Sequence, residues 1–117
     1  PLVVWGSGRQ TRSFVYATDF ARGLLEVCEK YPVADPLNIG TQEEISIGDL
    51  ARLLVELTGS KTDIVFDTSR PDGQPRRTCD VKKAEEKIGF KASVLLRHGL
   101  EKTIDWYVAE KKRRKIS

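Results

Sequence analysis

A chain of 117 residues with 39% hydrophobic and 32% charged content can build one small domain and little more. Its two cysteines, Cys28 and Cys79, have neither CxxC nor zinc-ligand spacing, which sets aside a disulfide scaffold and a zinc module. The net charge of +3 is a local matter, because Lys111-Lys112-Arg113-Arg114-Lys115 carries more positive charge than that and leaves the rest of the chain net acidic.

No apolar run approaches the roughly 20 residues of a membrane span. Pro1 to Trp5 lack the basic stretch of a secretory leader. A soluble, cytoplasmic protein with no membrane partner is the expectation.

In chain order, Leu2 to Trp5 is a short β-prone run, and Gly6-Ser7-Gly8 reads as a loop or hairpin tip. The glycine pair is not a dinucleotide fingerprint: it lacks the third glycine, and a strand rather than a helix is expected next. That second strand is Ser13 to Tyr16. Thr18 or Asp19 is expected to cap a helix reaching about Lys30, with Ala21, Leu24, Leu25 and Cys28 on one apolar face. Cys28 then reads as a reduced core thiol.

Pro32 and Pro36 end that helix, and Leu37-Asn38-Ile39-Gly40 reads as a short strand. Ser46 with Asp49 imitates a capping box. The helix it opens, about 47–58, buries Ile47, Leu50, Ala51, Leu54 and Leu57 and stops at Gly59. Asp63 to Asp67 is a strand. Asp80 caps a short helix carrying Val81, Ala84 and Ile88, which ends at Gly89. Ser93 opens the last helix, with Leu96, Leu100, Ile104, Tyr107 and Val108 along one side. Four short strands alternating with helices imply an α/β arrangement.

Between the last strand and the short helix lies the stretch richest in chemistry, residues 68–80. Pro71, Gly73 and Pro75 stiffen it into an irregular loop. It carries Arg70, Arg76 and Arg77, whose guanidinium groups offer phosphate paired donors and a permanent charge. The carboxylate of Asp72 suits a ribose diol. A solvated turn whose charges do nothing specific fits the same residues. His98 has no partner at a telling spacing and reads as a surface or capping histidine.

Several segments carry a family resemblance. Val4 to Asp19, Leu37-Asn38-Ile39-Gly40, Arg70-Pro71-Asp72-Gly73 followed by Asp80 to Ala84, Gly89-Phe90, and Gly99 to Tyr107 resemble, in order, motifs of the extended short-chain dehydrogenase/reductases. These are NAD(P)-dependent sugar-nucleotide epimerases and dehydratases. The Trp5-Gly6 pair and the R-P-D-G-x-P-R order are most similar to the GDP-L-fucose synthase branch.

The resemblance implies an α/β, C-terminal substrate-binding subdomain with a few short strands and about four helices, over residues 1–110, followed by a basic tail, 111–117. It implies that Arg12 and Arg70 contact a pyrophosphate, that Val4 and Trp5 line a base pocket, and that Asp72 reaches a ribose. Arg76 and Arg77 either assist or pair with Asp67 or Asp80. A nucleoside-diphosphate sugar is the implied partner, GDP-linked in preference to UDP- or dTDP-linked. A homo-oligomer is implied as well.

The glycine-rich dinucleotide turn and the catalytic Ser/Thr and Tyr-x-x-x-Lys of such enzymes have no counterpart in their usual places. NAD or NADP, and catalysis, are therefore expected to belong to a Rossmann half that this chain does not carry. Tyr107 to Lys111 spells Tyr-x-x-x-Lys, yet Tyr107 continues an apolar stripe and reads as a packing residue. The competing reading is a stand-alone module that binds anions or nucleic acid through the arginine loop and the basic tail, although that tail lacks interleaved aromatics.

Overall fold

The computed structural model describes residues 1–114. Its elements in chain order are β1 (Leu2–Trp5), β2 (Thr11–Ser13), α1 (Ala17–Lys30), β3 (Glu44–Ser46), α2 (Ile47–Thr58), β4 (Ile64–Asp67), β5 (Arg76–Arg77), α3 (Lys82–Ile88) and α4 (Leu96–Arg113). The strands form two small sheets. In one, β1 pairs in parallel with β4, Leu2 opposite Ile64 and Trp5 opposite Asp67. In the other, β2 lies between β3, antiparallel, and β5, parallel.

The second helix follows the sequence closely. The Ser46 hydroxyl accepts the Asp49 amide at 3.0 Å and donates to the Asp49 carboxylate at 2.8 Å. Gly59, at φ +63°, closes the helix in the left-handed conformation that favours glycine. The helix buries Ala51 and half-buries the other expected positions. Asp80 starts α3 by accepting the Lys82 amide at 2.9 Å.

The first helix departs from expectation in its orientation. Its buried positions are Asp19 and Gly23, with Val27 half-buried against the core formed by Ala84, Ile88 and Phe90. A Cβ at Gly23 would lie 3.0 Å from the Phe90 ring, so this glycine lets the helix sit directly on α3 and its following turn. The stripe containing Leu24 and Leu25 faces outward, and Cys28 is exposed, not a core thiol. No side chain caps α1. Asp19 lies inside the first turn and accepts instead from Ser93 N at 3.0 Å, Ser93 Oγ at 3.0 Å and Val94 N at 2.8 Å.

Ser93 is therefore committed to Asp19, and α4 begins later, at Leu96. Leu37 to Gly40 forms no strand: Leu37 and Ile39 turn onto the Ala84–Ile88–Phe90 core without a neighbouring ladder. The alternating pattern is real, but it serves packing alone. The second strand falls at Thr11–Ser13 rather than at Ser13 to Tyr16, because its partners in β3 and β5 lie there. Tyr107 is exposed, so it is not a packing residue within these contacts. The helix α4 runs through Lys111 to Arg113, while Lys115 to Ser117 lie outside the described residues.

Candidate functional site

Two loops run side by side because the strands that bound them are paired. The strands β1 and β4 are parallel neighbours that end level, and β2 and β5 are parallel neighbours that begin level, Thr11 opposite Arg76. The connection from β1 to β2 and the arginine loop from β4 to β5 thus leave one sheet and enter the other together. Pairing in sheets brings residues 5–12 against residues 67–77.

Glycine closes the gap between them. Gly6 has φ +82°, and a Cβ there would lie 2.9 Å from the Cα of Asp72. Gly8 has φ +75°, and a Cβ there would clash with the edge of the Phe66 ring. The Gly-Ser-Gly stretch is a close-approach turn. Ser7 sits between the two glycines. Its amide donates to one Asp72 carboxylate oxygen and its hydroxyl donates to the other at 2.9 Å. Bonds from the Ser7 amide, then from its hydroxyl, hold the Asp72 carboxyl below the usual carboxylate range.

Arg12 spans the same junction. One terminal nitrogen donates to the Thr11 carbonyl at 2.7 Å and to the Gln74 carbonyl at 2.9 Å, across the two loops. The Thr11 amide adds a bond to the Pro75 carbonyl at 2.9 Å. Arg70 places its guanidinium 5.1 Å above the ring of Trp5, within cation–π range. Its ion pair with Asp67 is loose, at 3.7 Å. Trp5 is 61% exposed beneath it. Of the five residues singled out by sequence, Trp5, Arg12, Arg70 and Asp72 meet at this junction. Val4 is the exception, since its side chain is 7% exposed and turned into the fold.

Arg76 has a different task. It pairs with Glu44, not with Asp67 or Asp80, through bonds of 3.0, 3.1 and 3.0 Å, and Glu44 also accepts the Thr11 hydroxyl at 2.5 Å. Those bonds, Arg76 first, hold the Glu44 carboxyl below its usual range. The cluster fastens β5 and β3 to β2 and fixes the downstream end of the arginine loop. Arg77 is exposed. His98 lies on the surface beside Glu101 at 3.4 Å. Among the described residues, no cluster of His, Cys, Asp and Glu is placed to hold a metal ion, and no helix is long and apolar enough to cross a membrane.

Comparison with known proteins meets this geometry. Residues 1–40 match the NAD dependent epimerase/dehydratase family. Over 107 residues the chain is 37% identical to a probable GDP-L-fucose synthase 1 of Oryza sativa subsp. japonica, covering 92% of this chain and 32% of that protein. Over 108 residues it is 40% identical to dTDP-4-dehydro-6-deoxy-D-allose reductase of Streptomyces bikiniensis, covering 91% and 32%. The fold superposes on UDP-glucose 4-epimerase of Thermotoga maritima, solved with UDP-glucose, with a TM-score of 0.86 at 30% identity, over 93% of this chain and 35% of that one.

The chain is similar in sequence and fold to extended short-chain dehydrogenases/reductases. It corresponds to the C-terminal part of the family's fold and spans about a third of the length of these relatives. Within that part of the family fold, Ser7 and Glu44 escaped the sequence reading. The Gly6-Ser7-Gly8 pattern, a turn that glycine lets come close to another loop, was the available signal for the first. Nothing local signals Glu44, whose partner Arg76 is remote in sequence.

Proposed function

We propose that the paired loops hold the nucleoside diphosphate of a sugar nucleotide, and that this chain is the substrate-binding portion of an NAD(P)-dependent epimerase, dehydratase or reductase like GDP-L-fucose synthase. The observation that carries the reading is that Arg12 and Arg70 stand on two adjacent loops joined by hydrogen bonds, with the Arg70 guanidinium over the exposed ring of Trp5. Guanidinium forks suit a diphosphate, and an indole face suits a base. Resemblance places Val4 at the base and Asp72 at the ribose, but Val4 is turned into the fold and Ser7 holds both oxygens of Asp72, so Trp5 is the residue left to face the base. A GDP-sugar is the favoured substrate, and UDP- and dTDP-sugars share the same diphosphate.

The residues present do not fit a nicotinamide dinucleotide. Ser7 directs its amide at a carboxylate, and the Gly6–Gly8 turn leads into β2, not into a helix whose N-terminus receives a pyrophosphate. NAD or NADP and the catalytic groups are assigned to the remainder of the family fold. This chain's share is binding: anchoring the diphosphate at a distance from the sugar lets the sugar be presented in one orientation.

Calorimetric titration with GDP and UDP tests the assignment. A charge-assisted bond contributes roughly 1.5–3 kcal/mol, so Arg12→Ala and Arg70→Ala should each weaken binding about tenfold or more. Arg→Lys should rescue only in part, because the fork geometry is lost. Alanine variants that bind both nucleotides as tightly as the parent would place the site elsewhere.

A further inference from the structure

We propose that Ser7 and Asp72 form a clasp that sets the arginine loop in its binding position, with Asp72 acting as a positioning residue for Arg70 and Arg12 rather than as a contact to the nucleoside. The proposal rests on the diphosphate reading above. The loop has few restraints of its own. Residues 68–75 are all exposed. The loop is anchored at its two ends, where β4 pairs with β1 and β5 pairs with β2. Between those anchors, bonds from Ser7 to Asp72, from Arg12 to the Gln74 carbonyl and from the Thr11 amide to the Pro75 carbonyl cross from the other loop, and only those of Ser7 reach its middle.

Ser7 is built for the task. Its amide and hydroxyl donate to different oxygens of one carboxylate, which fixes the carboxylate plane as well as its distance. The Arg9 amide donates to the Ser7 hydroxyl at 3.3 Å and so orients it toward Asp72. Gly6, lacking a Cβ, lets the Asp72 backbone come close enough for both bonds. Two residues before Asp72 stands Arg70, with its guanidinium over Trp5 and only a loose tie to Asp67. Two residues after it stands Gln74, whose carbonyl holds Arg12. A shift at Asp72 therefore moves both arginines. With both carboxylate oxygens engaged by Ser7, the geometry favours holding the loop over reaching outward.

The contact between Arg70 and Trp5 gives a readout that needs no ligand. In a Trp106→Phe background, Trp5 is the only tryptophan, and Trp106 is itself exposed and outside the site. Asp72→Ala should shift Trp5 emission and its quenching by acrylamide toward the values of Arg70→Ala, before any nucleotide is added. It should also weaken GDP binding about tenfold, as expected for the loss of a charge-assisted contact. Ser7→Ala, which keeps the amide bond, should give a smaller change in both, and Ser7→Thr, which keeps the hydroxyl, should restore them.

If Asp72→Ala weakens GDP binding while Trp5 emission in the free chain stays unchanged, Asp72 contacts the nucleoside directly and the clasp is overturned. Unchanged emission and unchanged affinity in both Asp72→Ala and Ser7→Ala overturn it as well. A shift in Trp5 emission in a chain that binds no nucleoside diphosphate supports the clasp and refutes the diphosphate reading alone.

Discussion

Asp19 shows how one side chain can replace a helix cap with a tertiary tie. It is 2% exposed, and burial pushes its carboxyl up. The Val94 amide, the Arg22 guanidinium and the Ser93 hydroxyl and amide together outweigh that and hold it below the usual carboxylate range. A carboxyl depressed in the folded state stabilises the fold above its unfolded value, near 3.9. That contribution fades as pH falls through the lower folded value. Asp19→Asn should therefore destabilise the chain by about 1–3 kcal/mol at neutral pH, because buried donors from the 93–94 turn lose their partner. The gap in melting temperature between parent and variant should narrow in acid. Equal melting temperatures at neutral pH would mean that the tie contributes nothing.

At the scale of elements, the outward face of α1 is the feature most in need of a partner. Phe20 is 42% exposed, Leu24 50% and Leu25 66%, all on one helix. A cluster of large apolar side chains in water favours burial against another surface. The chain is expected to self-associate through this face, and Leu24→Glu is expected to return it to monomer. Sedimentation of both forms checks this; a parent that stays monomeric at high concentration would contradict it. The same helix explains what was legible in the sequence. Its extent was readable from the apolar spacing and Pro32. Its orientation was not, because Gly23 and Asp19 face inward for reasons that reside in Phe90 and Ser93, some 70 residues away. By contrast, α2 was readable to the residue, since Ser46, Asp49 and Gly59 act locally. Leu37 to Gly40 shows the opposite case, an alternating pattern with no strand beside it. In the candidate site, the arginines and the proline-stiffened loop were visible as chemistry. Their alignment with Trp5 and Ser7 depends on sheet pairing, which no single stretch encodes.

The whole molecule is a slab of 47 × 37 × 19 Å with a radius of gyration of 17.1 Å. A compact domain of this length has a radius of gyration of about 13–14 Å. Flatness of this kind leaves a small core, centred on Ala84, Ile88 and Phe90, and many large apolar residues at the surface. It accords with a chain that spans about a third of its relatives. The loops and their arginines are nonetheless assembled from strand pairs within the chain itself. Binding of the diphosphate should therefore persist in this chain, and dinucleotide binding should not. Parallel calorimetric titrations of the unmodified chain with GDP, UDP, dTDP and NADPH test that division directly. Weak but saturable binding of one or more of the nucleoside diphosphates is expected, with no saturable micromolar binding of NADPH. Micromolar NADPH binding with no response to any nucleoside diphosphate would contradict it.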